Sequence, residues 1–512
     1  MTPHDPLTFQ LHLFLAVQAT VAVLLAWLIG KIIYNLYFHP LRNYPGPFLA
    51  RATSLYSTFF DYRGDLHTKS KELHDAYGEV VRTAPNSLSY NSAQAWEEIC
   101  GHRKASHQEL FDKDQEFFGE QPNSKPNIVA AVGEEHRRLR RLLAHAFSDK
   151  ALREQESCIQ GYVDLFISQL RKRATEGDGV VDMVNWFNFM TFDVIGDLAF
   201  GESFALLEDG ICKRYLTSLL GLLEWGAFNR NVKRILPESC KGLATYMVPK
   251  NHSEDRMYQY YLSKDKLSRR IALDTDRRDF VHHMLKGSQE AIGPGGLTFE
   301  EMTSQGTLLL VAGSETTATL LSGMLYYLLK HPSAMTRLTT EIRSSFTSST
   351  EIHVQNVTPL PYLHAVIEES LRMYPPVPNV LPRKAPAPGV VVCGQFVPPG
   401  TSLGMHHWSC YHSSKNFFAP DEFHPERWIP GKDERFANDN KNAFHPFSYG
   451  PRNCLGKNLA YAELRLTVSK FFWNFDVELQ QKPGSKEWLQ QRSNTLWMKN
   501  ALNVKLFPRD VV

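Results

Sequence analysis

Apolar residues recur along this chain in patterns that predict different elements. From Leu13 to Ile29 every position is apolar except Gln18 and Thr20. With Ile32, Ile33 and the interfacial candidates Trp27, Tyr34 and Tyr37, the run reaches the ~20 residues that span a bilayer. Thr298-Phe299-Glu300-Glu301 then reads as a capping box opening a helix that runs to Lys330, before His331-Pro332. At 1.5 Å per residue that helix is roughly 45 to 50 Å long. Leu363, Val366, Ile367 and Leu371 follow i, i+3, i+4, i+8 spacing, and Leu459, Ala462 and Leu466 keep a helical period after Cys454. Alternation at Leu403, Met405 and His407 predicts a strand entering a loop.

The 512 residues contain no Gly/Ser linker, charge block or internal repeat after residue 50, so one large, mainly helical domain is expected. The predicted organisation is a short lumenal N-terminus (1–10), a transmembrane anchor (11–36), a Pro-rich connector (37–47) and a catalytic domain (48–512). Met1 to Gln10 lacks Lys and Arg, which argues against a cleaved signal peptide. Lys31 and Arg42 follow the helix and place the C-terminal bulk in the cytosol, where sequons at Asn251 and Asn356 stay bare. A net charge of +2 argues against nucleic-acid binding. Seven widely spaced cysteines without C-x-x-C fit a reducing compartment. His406, His407, Cys410 and His412 match no zinc spacing.

Candidate chemistry concentrates at Phe447-Ser448-Tyr449-Gly450-Pro451-Arg452-Asn453-Cys454-Leu455-Gly456. Gly450 permits a turn with positive φ, and Gly456 lets backbone approach a flat macrocycle. Arg452 can pair with an anionic group. A sulfur at a helix N-terminus is favoured as thiolate, so the ligand is expected to be deprotonated. In the long helix, Gly313, Ser314, Glu315, Thr316 and Thr317 interrupt apolar runs with residues poorly suited to a helix interior.

The cysteine run resembles the haem-binding loop of the cytochrome P450 family, the haem-thiolate monooxygenases. Ala312-Gly313-Ser314-Glu315-Thr316-Thr317 resembles its oxygen-activation motif. Glu369-x-x-Arg372 and Pro425-Glu426-Arg427-Trp428 resemble its E-x-x-R and P-E-R-F/W motifs. The resemblance spans about Tyr44 to Pro508 and implies a mainly α fold with a small β-rich lobe. It further implies haem b bound through Cys454, with Phe447, Gly450, Arg452 and Gly456 shaping the loop. Arg140 and Arg383 are implied propionate partners, and His136 stands where the family commonly has Trp. Gly313 is expected to make room over the haem, Thr316 to hold bound oxygen and Glu315 to relay protons. Glu369, Arg372 and Arg427 are expected to form a buried network. Arg137, Arg138 and Arg141 would face an acidic electron donor.

Leu309, Ala312, Thr317, Val377, Val380 and Leu496 are candidate pocket residues for an apolar small molecule. The resemblance implies O2 as co-substrate, electrons from NADPH through a reductase, cytochrome b5 as a further partner and the endoplasmic reticulum membrane. The likeness is to fungal enzymes of secondary metabolism, terpenoid or polyketide. Two other readings are a reductase-independent haem-thiolate isomerase or dehydratase, against which the intact Glu315-Thr316 pair speaks, and a non-catalytic haem-binding protein.

Overall fold

A helix that is apolar on every face finds no stable place in water. Helix Pro6–Ile33, continued by a π-helical turn Tyr34–Phe38, is of this kind. From Phe9 onward its mean hydropathy is 2.3, and the rest of the chain buries none of its most apolar stretch. Its length and composition suffice to cross a membrane. The computed structural model describes residues 6–102, 111–118, 122–273, 275, 277–290, 296–480 and 487–509; residues 1–5 of the expected N-terminal segment lie outside them.

The connector is tied down by hydrogen bonds as well as stiffened by proline. The Asn35 side chain donates to Ala52 O (2.8 Å), Arg82 Nη1 donates to Asn35 O (3.0 Å) and Arg82 N donates to Pro45 O (2.7 Å). Arg82 is fully buried, so these bonds lie out of reach of water.

The β-rich lobe contains a five-stranded sheet in the order Val80–Ala84, Ser87–Tyr90, Ser402–Met405, Arg383–Lys384, Asp112–Lys113. Only the pairing of Ser87–Tyr90 with Ser402–Met405 is parallel. The alternation at Leu403, Met405 and His407 predicts a strand entering a loop. Instead the strand ends at Met405 and His407 opens a short helix to Tyr411, because His407 Nδ1 is held at Val377 O (2.8 Å) and Cys410 N turns back to His406 O.

Helix Met183–Phe200 is buried on nearly all sides and packs along the long helix Phe299–Lys330. The long helix opens with the expected capping box: Glu301 N donates to Thr298 Oγ1 (3.2 Å) and Thr298 N to Glu301 Oε2 (2.8 Å). Most of its apolar stretch is buried in protein, so its hydropathy reflects a core position. Gly313 lies where this helix meets Ile195 of helix Met183–Phe200. A Cβ there would lie 2.6 Å from Ile195 Cδ1, so its missing side chain lets two core helices approach.

Helix Pro361–Met373 carries the main buried charge network. Arg372 Nε and Nη2 donate to Glu369 (2.9 and 2.8 Å), and Arg427 Nε reaches the same carboxylate (3.2 Å). Trp428 Nε1 (2.9 Å) and His424 N (2.8 Å) complete its shell. Burial alone would push the Glu369 carboxyl up, but Arg372 and Arg427 outweigh it and hold it below the ordinary range. Asp439 bonds to Arg427 and makes the four-charge group neutral. Removing one partner strands buried charge, so Arg372→Ala is expected to lower stability by about 3–5 kcal/mol in urea unfolding. A loss as small as that of a surface pair would show that the network is not structural.

Candidate active site

Gly450 adopts φ +71°, and a Cβ there would lie 1.9 Å from Cys100 O, so the tight turn admits only glycine. Ser448 N donates to His445 O (2.8 Å), and Cys454 N to Phe447 O (2.9 Å). These bonds set the cysteine two residues before Gly456, the N-cap of helix Lys457–Asn474. The helix begins at Lys457, just ahead of the apolar period that starts at Leu459. Cys454 is open to a solvent probe, yet burial is the largest influence on its thiol. A side chain both accessible and deep faces an interior void.

Burial pushes the Cys454 thiol up, against Gly456 N–H, Arg140 and Lys457, which pull it down. In the protein alone, desolvation outweighs the positive potential that the helix terminus and its neighbours supply. A metal cation at the sulfur would supply the missing charge.

Basic side chains gather beside this loop. His136 and Arg140 come from helix Gly133–Ala144, Arg383 and Lys113 from paired strands, and Arg452 from the loop itself. Arg140 Nη1 donates to Asn453 O (2.8 Å), bracing the cysteine loop. Arg452 donates to Ala131 O and Asp112 Oδ1, both at 2.6 Å. Burial and the neighbouring Arg383 lower Arg452 to about 10, with Asp112 opposing. Burial, then Arg452, Arg140, Arg383 and Lys113, bring His136 down to about 3, so it is a neutral imidazole. Buried Lys113 is lowered well below its ordinary value by burial and by Arg383. Arg383 Nε and Nη1 are buried without an acceptor among the described residues. Cations so closely grouped, with the Asp112 carboxylate on Arg452, fit an anionic group such as haem propionates. Lys113 escaped sequence reasoning, because only its pairing with Arg383 across the sheet brings it here.

The long helix forms another wall. Leu309, Ala312 and Thr316 share one face and retain accessible surface, as do Thr307, Leu308, Val311 and Gly313 around them. Thr316 Oγ1 donates to Ala312 O (2.6 Å). Glu315 is buried and ion-paired with Lys499, which also donates to Thr319 Oγ1 (2.8 Å). Thr317 is buried with its hydroxyl against Glu463 of the helix after Cys454, so it faces that helix rather than the void. Burial pushes Glu463 up to about 8, with the Thr317 contact opposing. Its place on the apolar stripe Leu459, Ala462, Leu466 was the signal that could have found it.

Leu496 is buried in the second strand of a hairpin, Arg492–Asn494 with Leu496–Met498, that turns at Thr495. Val377 is half-buried, its carbonyl engaged by His407. Val380 lines a cavity of about 900 Å³ that also touches Trp27, Lys31 and Tyr34 at the end of the N-terminal helix. Arg138 departs from its expected outward role. It is bonded to Glu135 and Glu301 and donates to Gly296 O (2.8 Å), stapling two helices, while Arg137 and Arg141 remain exposed. His407 and His412 bond to backbone carbonyls, and Cys410 approaches Tyr90 O.

Residues 45–505 match the family model for cytochrome P450. The chain is 45% identical to cytochrome P450 monooxygenase aclL of Aspergillus oryzae, covering 95% of this chain and 97% of that protein. It is 42% identical to cytochrome P450 monooxygenase astJ of the same organism, covering 95% and 96%. Averantin hydroxylase of Dothistroma septosporum is 38% identical, covering 96% and 91%. With the cysteine loop, the long helix and the buried arginine network in place, the chain belongs to the cytochrome P450 family and is an oxidoreductase of the monooxygenase class.

Proposed function

We propose that this protein is a membrane-anchored haem-thiolate monooxygenase of fungal secondary metabolism that inserts one oxygen atom of O2 into an apolar small molecule. The observation that carries this reading is a deep cysteine open to an interior void, beside a buried group of cations and a helix wall bearing Thr316. Haem b, when bound, supplies activation of dioxygen. Cys454 Sγ would ligate its iron, and Arg383, Arg452 and Lys113 would hold its propionates. Arg140 keeps the loop carrying Cys454 in place through Asn453.

Leu309 and Ala312 exclude water from the void and favour an apolar substrate. Thr316 Oγ1 can accept a proton and pass one on, and Glu315 beside it is the nearest carboxylate in sequence. Electrons would come from NADPH through a flavoprotein reductase, with cytochrome b5 as a second donor. Exposed Arg137 and Arg141 are suited to meet an acidic partner. The apolar N-terminal helix fits single-pass anchoring in the endoplasmic reticulum with the catalytic domain cytosolic, and the cavity at Val380 offers a route from the bilayer.

The difference spectrum of reduced protein with and without carbon monoxide tests the ligand directly. Wild type should give the strongly red-shifted Soret band of a thiolate complex and Cys454→Ser should lose it; no haem signal in folded wild type would reject the reading. Thr316→Ala should raise several-fold the share of NADPH electrons appearing as hydrogen peroxide, while unchanged coupling would exclude Thr316 from the proton path. Deleting residues 1–38 should move the protein from the carbonate-washed membrane fraction to the supernatant. Persistence in that fraction would show that another surface anchors it.

A further inference from the structure

Glu315 and Lys499 are each only 3% exposed, and they form an ion pair between the centre of the long helix and the strand that follows Thr495. A buried ammonium near a carboxylate fixes the orientation of both groups, because rotating either leaves charge unpaired in a medium of low dielectric. Thr319, one turn after Glu315, accepts from Lys499 Nζ (2.8 Å) and lies 3.5 Å from Glu315 Oε1. The three side chains therefore form one polar cluster.

The segment carrying Lys499 is itself held firmly. Ser493 N donates to Gly64 O (2.9 Å), and Asn379 Nδ2 donates to Ser493 Oγ (3.1 Å). Trp497 Nε1 donates to Pro375 O (2.8 Å), and its ring stacks on Tyr374 at 4.8 Å with 12° between planes. Trp488 Nε1 donates to Asn500 O (2.9 Å), just beyond the lysine. Lys499 thus approaches the long helix from a braced strand, and Leu496 lies three residues before it.

We propose that Lys499 is a positioning residue for Glu315: it holds the carboxylate in one orientation beside Thr316 and thereby sets how efficiently protons follow electrons into the site. Resting on the monooxygenase reading, the inference adds a residue outside the long helix to the proton path. Glu315, ionised in its pair with Lys499, takes a proton from solvent water and passes it to the Thr316 hydroxyl, which releases its own toward the void and leaves Glu315 a carboxylate again; Lys499 neither gives nor takes one. Without the clamp the carboxylate turns from this path. The two electrons from NADPH then reduce O2 to hydrogen peroxide with two protons, in place of product formation.

The test compares wild type, Lys499→Gln, Lys499→Arg, Glu315→Gln and the double variant Glu315→Gln/Lys499→Gln, all as membrane-bound holoenzyme with reductase. For each, the carbon monoxide spectrum, peroxide formed per NADPH and the solvent isotope effect on NADPH-driven turnover are measured. Lys499→Gln should keep the thiolate spectrum while peroxide per NADPH rises several-fold and the solvent isotope effect increases. Lys499→Arg should recover most of the coupling, and the double variant should be no worse than Glu315→Gln. Wild-type coupling in Lys499→Gln, additive losses in the double variant, or loss of haem from Lys499→Gln while Glu315→Gln retains it would each overturn the proposal. Absence of a thiolate spectrum in wild type would instead reject the monooxygenase reading.

Discussion

Four charges without water hold this structure's catalytic face together. Glu369, Arg372, Arg427 and Asp439 are each at most 1% exposed and sum to zero. Such a group tolerates burial only when every donor and acceptor is engaged, and here backbone carbonyls of Tyr411, Glu422 and Phe418 take the remaining arginine N–H groups. Those carbonyls belong to the irregular run that leads toward the cysteine loop. A segment with little regular secondary structure thus acquires one conformation from electrostatics.

The opposite balance prevails beside the cysteine. Lys113, Arg140, Arg383 and Arg452 crowd together, and desolvation, then mutual repulsion, lower the basicity of Lys113 and Arg452. The cluster at Glu369 closes on itself, whereas the cluster beside Cys454 is completed by something the chain does not encode. Burial of the Cys454 thiol fits the same division, since a sulfur lifted above its ordinary range ionises readily only beside a cation. The scaffold is self-sufficient, and the cations beside Cys454 would suit an anionic, metal-bearing guest.

Much of this was legible in one dimension because its signals are local. The Thr298–Glu301 capping box, the turn at Gly450 and the i,i+3 pair Glu369–Arg372 depend on neighbours a few residues apart. Lys113, Asp439 and Lys499 were not legible, since each gains its meaning from a partner brought near by folding. Gly313 shows a related limit: glycine reports that something comes close, and only the packing reveals that Ile195 does. Arg138 stood in a basic run with no mark to separate it from exposed Arg137, yet Glu301 claims it from across the fold.

The bonds from Arg82 to Asn35 and Pro45 have a consequence for diffusion. They leave little slack between the apolar helix and the first strand, so in a bilayer the folded body would ride at a set height and inclination rather than swing on a tether. Search for any partner held in the same bilayer would then lose one translational and much of its rotational freedom. Encounters become lateral collisions between surfaces already turned toward each other, with frequency set by area density in the membrane instead of concentration in the surrounding volume.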